Sequence, residues 1–135
     1  MATIDATAAC PCDSGRAYGD CCEPIHAGAD ARTAADLMRS RYSAFVLENA
    51  DHLLASWHPD TRPATIEFDL DSRWLGLKIR ATAAGGPEDD VGTVEFVARY
   101  KIDGRGHRLH ELSEFVRHEG RWTYVTGHRK GATAS

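Results

Sequence analysis

All four cysteines of the chain fall within thirteen consecutive positions, Cys10-Pro11-Cys12-Asp13-Ser14-Gly15-Arg16-Ala17-Tyr18-Gly19-Asp20-Cys21-Cys22. The spacing C-x-C, eight residues, C-C sets two ligand pairs on either side of a turn-rich segment. An ion of the zinc type takes four soft ligands at the corners of a tetrahedron, with thiolate sulfur about 2.3 Å away. Two such pairs, folded together, can close one site. Disulfides fit the spacing poorly. Vicinal Cys21 and Cys22 bridge each other only through a strained ring, and crosswise bridges would tie two short segments into a tight double loop. A C-x-x-C pair ahead of a helix, the usual redox arrangement, is absent. Residues 1–9 carry neither the basic start nor the apolar core of a secretory signal, so a reducing, cytoplasmic setting is expected. Clustered cysteines there read as metal ligands. The expectation is a structural metal knuckle with Cys10, Cys12, Cys21 and Cys22 as ligands. Zinc is the expected ion and iron the alternative, since four thiolates suit both.

The rest of the chain is long enough for one compact domain carrying the knuckle as a small appendage. Its 42% hydrophobic and 27% charged residues are those of an ordinary globule. No run approaches the roughly 20 apolar residues of a membrane helix. The formal net charge is −4, and lysine and arginine are not gathered into a dominant patch. Both points argue against a nucleic-acid partner, which calls for a basic face.

Residues 1–9 are small and polar and are expected to be frayed. Residues 23–32 read as a connector, with His26, a possible substitute ligand, read as structural or exposed because four cysteines are already present. Thr33-Ala34-Ala35-Asp36 resembles a capping box that opens a helix to about Glu48. Leu37, Met38, Tyr42, Phe45 and Val46 recur on one face of that helix. Arg39 is expected to reach solvent, whereas Arg41 lies in one i, i+4 row with Leu37 and Phe45. Asp51 is read as the cap of a second helix, His52 to His58, which Pro59 ends.

The second half alternates in the manner of strands. Leu75, Leu77, Ile79 and Ala81 share one face of the first strand, and Val94, Phe96, Ala98, Tyr100 and Ile102 share one face of the second. A loop at residues 83–90, a turn at 103–106 and a hairpin at Glu119-Gly120 separate four strands. With those loops, Leu77 faces Phe96, Val94 faces Phe115, Ser113 faces Thr126 and Phe115 faces Tyr124. All the apolar faces then fall on one side, as a four-stranded antiparallel meander covered by helices requires. On the opposite face Arg99 is expected opposite His110.

This register leaves Glu111 on the apolar face, between Ala98 and His128. A buried carboxylate without a partner is costly, so Glu111 is either paired or at a wet cavity. Pairing with Arg41 or His128 would be purely structural. A pocket would instead be lined by Arg41, Trp57, Trp74, Tyr100, Glu111 and His128, with Glu111 and His128 as a base pair if any catalysis occurs. No nucleophile motif, phosphate loop or paired-carboxylate motif is present, so whether the chain is an enzyme stays open.

Cys-Pro-Cys-x-Ser-Gly-x-x-Tyr-x-x-Cys-Cys resembles the SEC-C motif, a zinc-binding knuckle of the bacterial preprotein-translocase ATPase and of many small bacterial proteins. The chain has Asp13 where that motif commonly has Gly. Leu37-Met38-Arg39-Ser40-Arg41-Tyr42-Ser43-Ala44-Phe45, Trp57 to Pro63, Val94 to Ala98 and Leu109 to Phe115 resemble the bacterial YchJ family, also called UPF0225. The resemblance implies a SEC-C knuckle followed by an NTF2-like, cystatin-like α+β domain, and no settled activity. The expected division is a disordered start at 1–9, a knuckle at 10–28 and an NTF2-like domain at 29–130. Two function classes follow. One is a metal-binding module whose knuckle meets a protein partner through exposed Arg16 and Tyr18, as the translocase knuckle meets its partners. The other is a small-molecule binder or enzyme using the pocket around Glu111. A homodimer through an exposed sheet face is a further expectation.

Overall fold

The computed structural model describes residues 4–69 and 71–129. Its elements are a short helix α1 (Glu23–His26), α2 (Ala34–Leu47), α3 (Ala50–Ala55) and strands β1 (Ser72–Ala84), β2 (Val91–Ile102), β3 (Arg105–His118) and β4 (Arg121–Arg129). The strands form one antiparallel sheet in the order β1-β2-β3-β4. This is the α+β, NTF2-like arrangement of a four-stranded sheet with helices packed on one face.

The helix starts have local causes. The Thr33 hydroxyl accepts the Asp36 N–H at 3.0 Å and opens α2. Glu48 closes it in the left-handed conformation, φ 56°. The expected cap of the next helix is corrected: the Asn49 side chain, not Asp51, accepts the His52 N–H at 3.1 Å, so α3 begins at Ala50. It also ends early, at Ala55, where the Ser56 hydroxyl turns back to the His52 carbonyl at 2.7 Å. The expected connector at 23–32 contains α1, with Pro24 in its first turn, where a missing N–H does no harm.

The register differs from expectation in ways that trace to turns and bulges. Asp103 and Gly104 both have positive φ, 53° and 78°, and form a two-residue turn rather than a four-residue one. Val94 therefore faces Ser113 and Phe96 faces Glu111, two positions from the expected pairs but on the same side. Arg99 consequently faces Arg108, not His110, which pairs with Glu95 at 2.7 Å. In β1 the register shifts at Trp74/Gly76 and Ile79/Ala81. The first bulge turns Leu75 outward, 49% exposed, while Trp74 and Leu77 stay inside. Leu77 faces Ala98 rather than Phe96. The Glu119-Gly120 hairpin puts Phe115 opposite Tyr124 as expected, but a bulge at Glu114/Phe115 then sets Ser113 opposite Gly127, not Thr126.

This fold also gathers cations that look dispersed along the sequence. Arg73, Lys78, Arg80, Arg99, Lys101 and Arg108 are all exposed, and the register sets Arg73 opposite Lys101 and Arg99 opposite Arg108. Beyond β4, the stretch Ser56–His58 pairs with the sheet edge. Tyr124 donates its N–H to Ser56 O and receives that of His58, both at 2.8 Å.

The knuckle is not an appendage. Cys10, Cys12, Tyr18, Cys21 and Cys22 belong to the same buried cluster as Leu37, Met38, Tyr42, Leu77, Val94, Phe96 and Phe115. Residues 4–9, expected to be frayed, run along the knuckle: Ala6 and Ala8 carbonyls accept the N–H groups of Gly19 and Tyr18 at 2.8 Å. Residues 1–3 of that expected frayed start lie outside the described residues.

Candidate functional site

The cysteine pairs are brought together by a tight loop. Cys10 N–H bonds Arg16 O at 2.9 Å, and Asp13 N–H bonds Cys10 O at 3.2 Å. The reversal needs positive φ at Asp13 (64°) and Gly15 (87°), and Asp tolerates this region better than most residues. A single 3-10 turn at Tyr18–Asp20 then returns the chain, with Cys21 N–H on Tyr18 O at 3.0 Å.

The four Sγ atoms all lie within 4.8 Å of one another. Cys12 and Cys21 sulfurs are 3.5 Å apart, and those of Cys21 and Cys22 are 3.9 Å apart. A tetrahedral ion with sulfurs at about 2.3 Å needs sulfur–sulfur edges of about 3.8 Å. The donor set therefore fits one tetrahedral metal. The cysteines are buried, at 9% exposure or less. Their protons are in competition: hydrogen bonds from Cys10 and Cys22 hold the Cys12 thiol far below its usual range, while the same network pushes Cys22 up. Burial pushes Cys21 up as well. A divalent cation resolves this by replacing the shared protons.

Groups outside the four ligands orient them. The Ser43 hydroxyl, fully buried on α2, donates to Cys22 Sγ at 3.4 Å and lies 3.5 Å from Cys10 Sγ. Ser14 Oγ is 3.1 Å and Arg16 Nη2 3.6 Å from Cys21 Sγ. Arg39, expected in solvent, donates to Cys12 O at 3.3 Å. The Asp13 carboxylate accepts the Leu77 N–H at 3.2 Å and so ties the loop to β1. Tyr18, expected as an exposed contact residue, is 7% exposed, and its hydroxyl meets His26 Nδ1 at 2.7 Å. His26 Nε2 donates to Ser40 O at 2.8 Å, which fixes Nδ1 as acceptor of the Tyr18 proton. Of the two expected contact residues, only Arg16 is exposed.

A second region lies between α2 and the sheet. A cavity of about 320 Å³ is lined by Arg41, Trp57, Trp74 and Glu111, together with apolar residues that include Met38, Phe45, Phe96 and Leu109. Tyr100 does not line it but packs on Trp74, ring centroids 5.4 Å apart. His128 is excluded from it. The bulge in β4 reverses the facing of that strand's far end, so His128 pairs with Leu112 and bonds Glu114, and Arg129 falls opposite Glu111. The expected Glu111–His128 base pair is not formed. Glu111 has Arg129 at 3.9 Å, and burial raises its carboxyl above the usual range against the pull of Arg129 and His128. The expected Glu111–Arg41 pair is not formed among the described residues either. Arg41, 3% exposed, donates through Nη1 to Leu53 O at 2.9 Å and Ser56 Oγ at 2.6 Å. Its guanidinium carbon sits 4.8 Å from the Trp57 ring centre and 4.3 Å from that of Tyr124. Ser43 was not singled out from the sequence; Asp13 was noted only as a departure from the motif, without its bond to β1, and Tyr124 only as the residue facing Phe115. Ser43 lies roughly 130° around α2 from the centre of the apolar stripe, so the periodicity gave no signal for it.

Among the described residues no helix is long and apolar enough to cross a membrane. Residues 33–127 match the family model described as YchJ, middle NTF2-like domain, and residues 7–24 match the SEC-C motif. A UPF0225 protein of Bordetella parapertussis is 56% identical over 124 residues, covering 89% of this chain and 92% of that protein. A UPF0225 protein of Ralstonia nicotianae is 52% identical over 134 residues, covering 90% and 91%. The solution structure of a SEC-C motif containing protein from Rhodopseudomonas palustris superimposes with a TM-score of 0.76 at 33% identity, covering 88% of this chain and 96% of that one. The crystal structure of a SEC-C motif containing protein from Psychrobacter arcticus gives 0.74 at 28% identity, covering 90% and 82%. With its NTF2-like domain matched over most of its length and the SEC-C cysteines set ahead of it, the chain belongs to the YchJ (UPF0225) family.

Proposed function

We propose that this is a zinc protein in which the metal is structural. The ion holds Cys10, Cys12, Cys21 and Cys22 together and thereby fastens the N-terminal segment onto α2 and β1. The observation that carries the reading is the set of four buried sulfurs within 4.8 Å, with a helix hydroxyl, Ser43, against two of them. All four corners of the tetrahedron are taken by thiolates, and a closed site of this kind has no position for a substrate. Zinc is the ion proposed because closed four-cysteine sites are the usual structural zinc sites, with iron as the alternative. Intact thiols require a reducing compartment, which supports a cytoplasmic location.

A protein partner is the second element of this reading. Arg16, exposed at the tip of the knuckle and 3.6 Å from Cys21 Sγ, is its contact residue. Truncation of residues 1–32 would not isolate this role, because the knuckle shares its core with the sheet. Arg16→Gln in the full chain is the cleaner variant, with metal content measured on the same sample because Arg16 also meets Cys21 Sγ: protein that still carries one metal per chain should lose the partner. Retention of the partner would move the contact elsewhere.

Metal content per chain, with a thiol titration on the same anaerobically purified sample, tests the centre. One zinc per chain, with thiols that react only after chelation, is expected. One iron would keep the centre and change the ion. No metal, with paired disulfides, would overturn the reading.

A further inference from the structure

The cavity between α2 and the sheet holds a cation, Arg41, that pairs with no carboxylate of the described residues, Glu111 being turned to Arg129. Arg41 is 3% exposed, yet no carboxylate of the described residues reaches it, and its hydrogen bonds there all leave from Nη1. The Trp57 and Tyr124 rings flank it. Such faces stabilise a cation but supply no in-plane acceptor, and because no buried side-chain nitrogen of the described residues lacks a partner, the remaining Arg41 N–H groups keep some access to the cavity. A buried guanidinium normally has a carboxylate or phosphate in its fork, because the charge is costly to bury alone.

A second set of polar groups, reaching from Tyr124 to Glu111, converges on one point. A Cβ on Gly127 would lie 2.8 Å from Glu111 Oε1, 3.1 Å from the Tyr124 hydroxyl and 3.5 Å from Ser113 Oγ. The absence of a side chain at Gly127 lets these three groups pack against its backbone. The rest of the lining is mostly apolar, with Met38, Phe45, Trp74, Phe96 and Leu109. The volume, about 320 Å³, is at the small end of the range of ligand pockets. Of the lining residues, Phe45, Trp74 and Leu109 are only half-buried, so part of the lining reaches the surface.

We propose that this cavity binds a small organic carboxylate with an aromatic or short aliphatic body. The carboxylate takes the free N–H groups of Arg41, and the body packs between Phe45, Trp74, Phe96 and Leu109. The Tyr124 and Ser113 hydroxyls, which gather with Glu111 around Gly127, supply further hydrogen bonds to the same carboxylate or to a substituent beside it. A larger dianion such as a nucleotide phosphate is disfavoured, because a second negative charge would face Glu111 with no second cation in the cavity lining.

The test uses the full chain with its metal, labelled for amide NMR. The probes are phenylacetate, indole-3-acetate and hexanoate, with phenylacetamide as the neutral match. At least one carboxylate should give saturable shifts at the amides of Phe96, Ala98, Leu109 and Tyr124. Phenylacetamide should bind about tenfold or more weakly than phenylacetate, the ratio expected for loss of a charge-assisted hydrogen bond. In Arg41→Gln that preference should disappear. Because Arg41 also holds Leu53 and Ser56, that variant has a companion, Leu109→Trp, which fills the cavity, leaves Arg41 in place and should abolish binding. No saturable binding by any of the three acids below about 10 mM would overturn the proposal. So would equal binding of the amide, or unchanged binding in Leu109→Trp. Arg41 would then be a purely structural clamp on α3.

Discussion

The Ser43 hydroxyl donates to the Cys22 sulfur at 3.4 Å across the junction of α2 and the knuckle. It lies 3.5 Å from the Cys10 sulfur as well, so one helix residue touches both cysteine pairs. Hydrogen bonds to ligating atoms orient them and tune their basicity, and their loss typically costs about 10- to 100-fold in metal affinity. Ser43→Ala should therefore keep one metal per chain but release it to a competing chelator about tenfold faster or more. Equal release from both proteins would show that the hydroxyl is a packing group only.

Metal removal should destabilise the whole chain. On the sequence alone, a knuckle followed by a connector suggested that Cys21→Ser would disorder only the N-terminal segment. The structure packs Cys12 and Cys22, at 0% and 1% exposure, into one cluster with Leu37, Tyr42 and Leu77. Without the ion, four mutually repelling or protonated sulfurs occupy the centre of that cluster. Chelation should lower the melting temperature by about 10 °C or more and speed amide exchange in α2 as well as in residues 10–22. A melting temperature unchanged within about 2 °C would restore the appendage view.

Features set by neighbours in sequence were legible. Thr33 opens α2 because its hydroxyl reaches three residues ahead, and Glu119-Gly120 makes its hairpin from two residues. The cysteine spacing alone was enough to nominate four ligands. Features set by single extra residues were not. A bulge leaves no compositional mark, and each one reverses the facing of everything beyond it. The bulge after Tyr124 moved His128 out of the cavity and brought Arg129 opposite Glu111. The bulge in β1 turned Leu75 to solvent. The Asp103-Gly104 turn was legible in principle, since Asp-Gly favours a two-residue turn, but the two flanking residues were read as loop. The shared core was hidden for another reason: it depends on which side of α2 the knuckle docks, and no periodicity encodes that.

Gly76 and Asp13 form the other attachment of the knuckle. A Cβ at position 76 would lie 2.5 Å from Asp13 Oδ2, the atom that accepts the Leu77 N–H. Gly76→Ala should displace the carboxylate and leave that N–H without its partner, at a cost of about 1–3 kcal/mol. Asp13→Gly relieves the positive φ while losing the same bond, so it separates backbone strain from the contact. Urea unfolding of both single variants and the double should give clearly non-additive losses, because each removes one interaction. Additive losses would mean that the two residues act apart.

Arg99 and Arg108 stand directly opposite each other on exposed positions of β2 and β3. Like charges in that relation are unfavourable, and an opposite pair contributes about 0.2–1 kcal/mol. Arg108→Glu should raise stability by about that amount at low salt, with the gain shrinking as salt is added. A loss of stability would show that the arginines are held apart by other contacts.

The last expectation concerns acid. His52 is buried, with Nε2 2.9 Å from the Ser40 hydroxyl and the His26 ring centre 4.7 Å away. Burial holds its pKa down to about 3, helped by His26, Arg41 and Arg121. In the unfolded chain the imidazole returns to about 6.5. Below that value the unfolded chain takes up a proton that the folded chain refuses until about pH 3. Stability from the neutral histidine is therefore complete above about pH 6.5 and is lost as pH falls towards 3, by up to about 1.4 kcal/mol per pH unit. His26, also lowered by burial, adds in the same direction. His52→Gln removes one titrating group and leaves the metal ligands, whose own acid sensitivity is common to both proteins. Urea unfolding between about pH 7 and pH 5 should show the wild type losing its advantage over the variant by roughly 1 kcal/mol per unit. Parallel profiles would mean that His52 gains a proton in the folded protein as readily as in the unfolded one, and that the Ser40–His52 contact opens in acid.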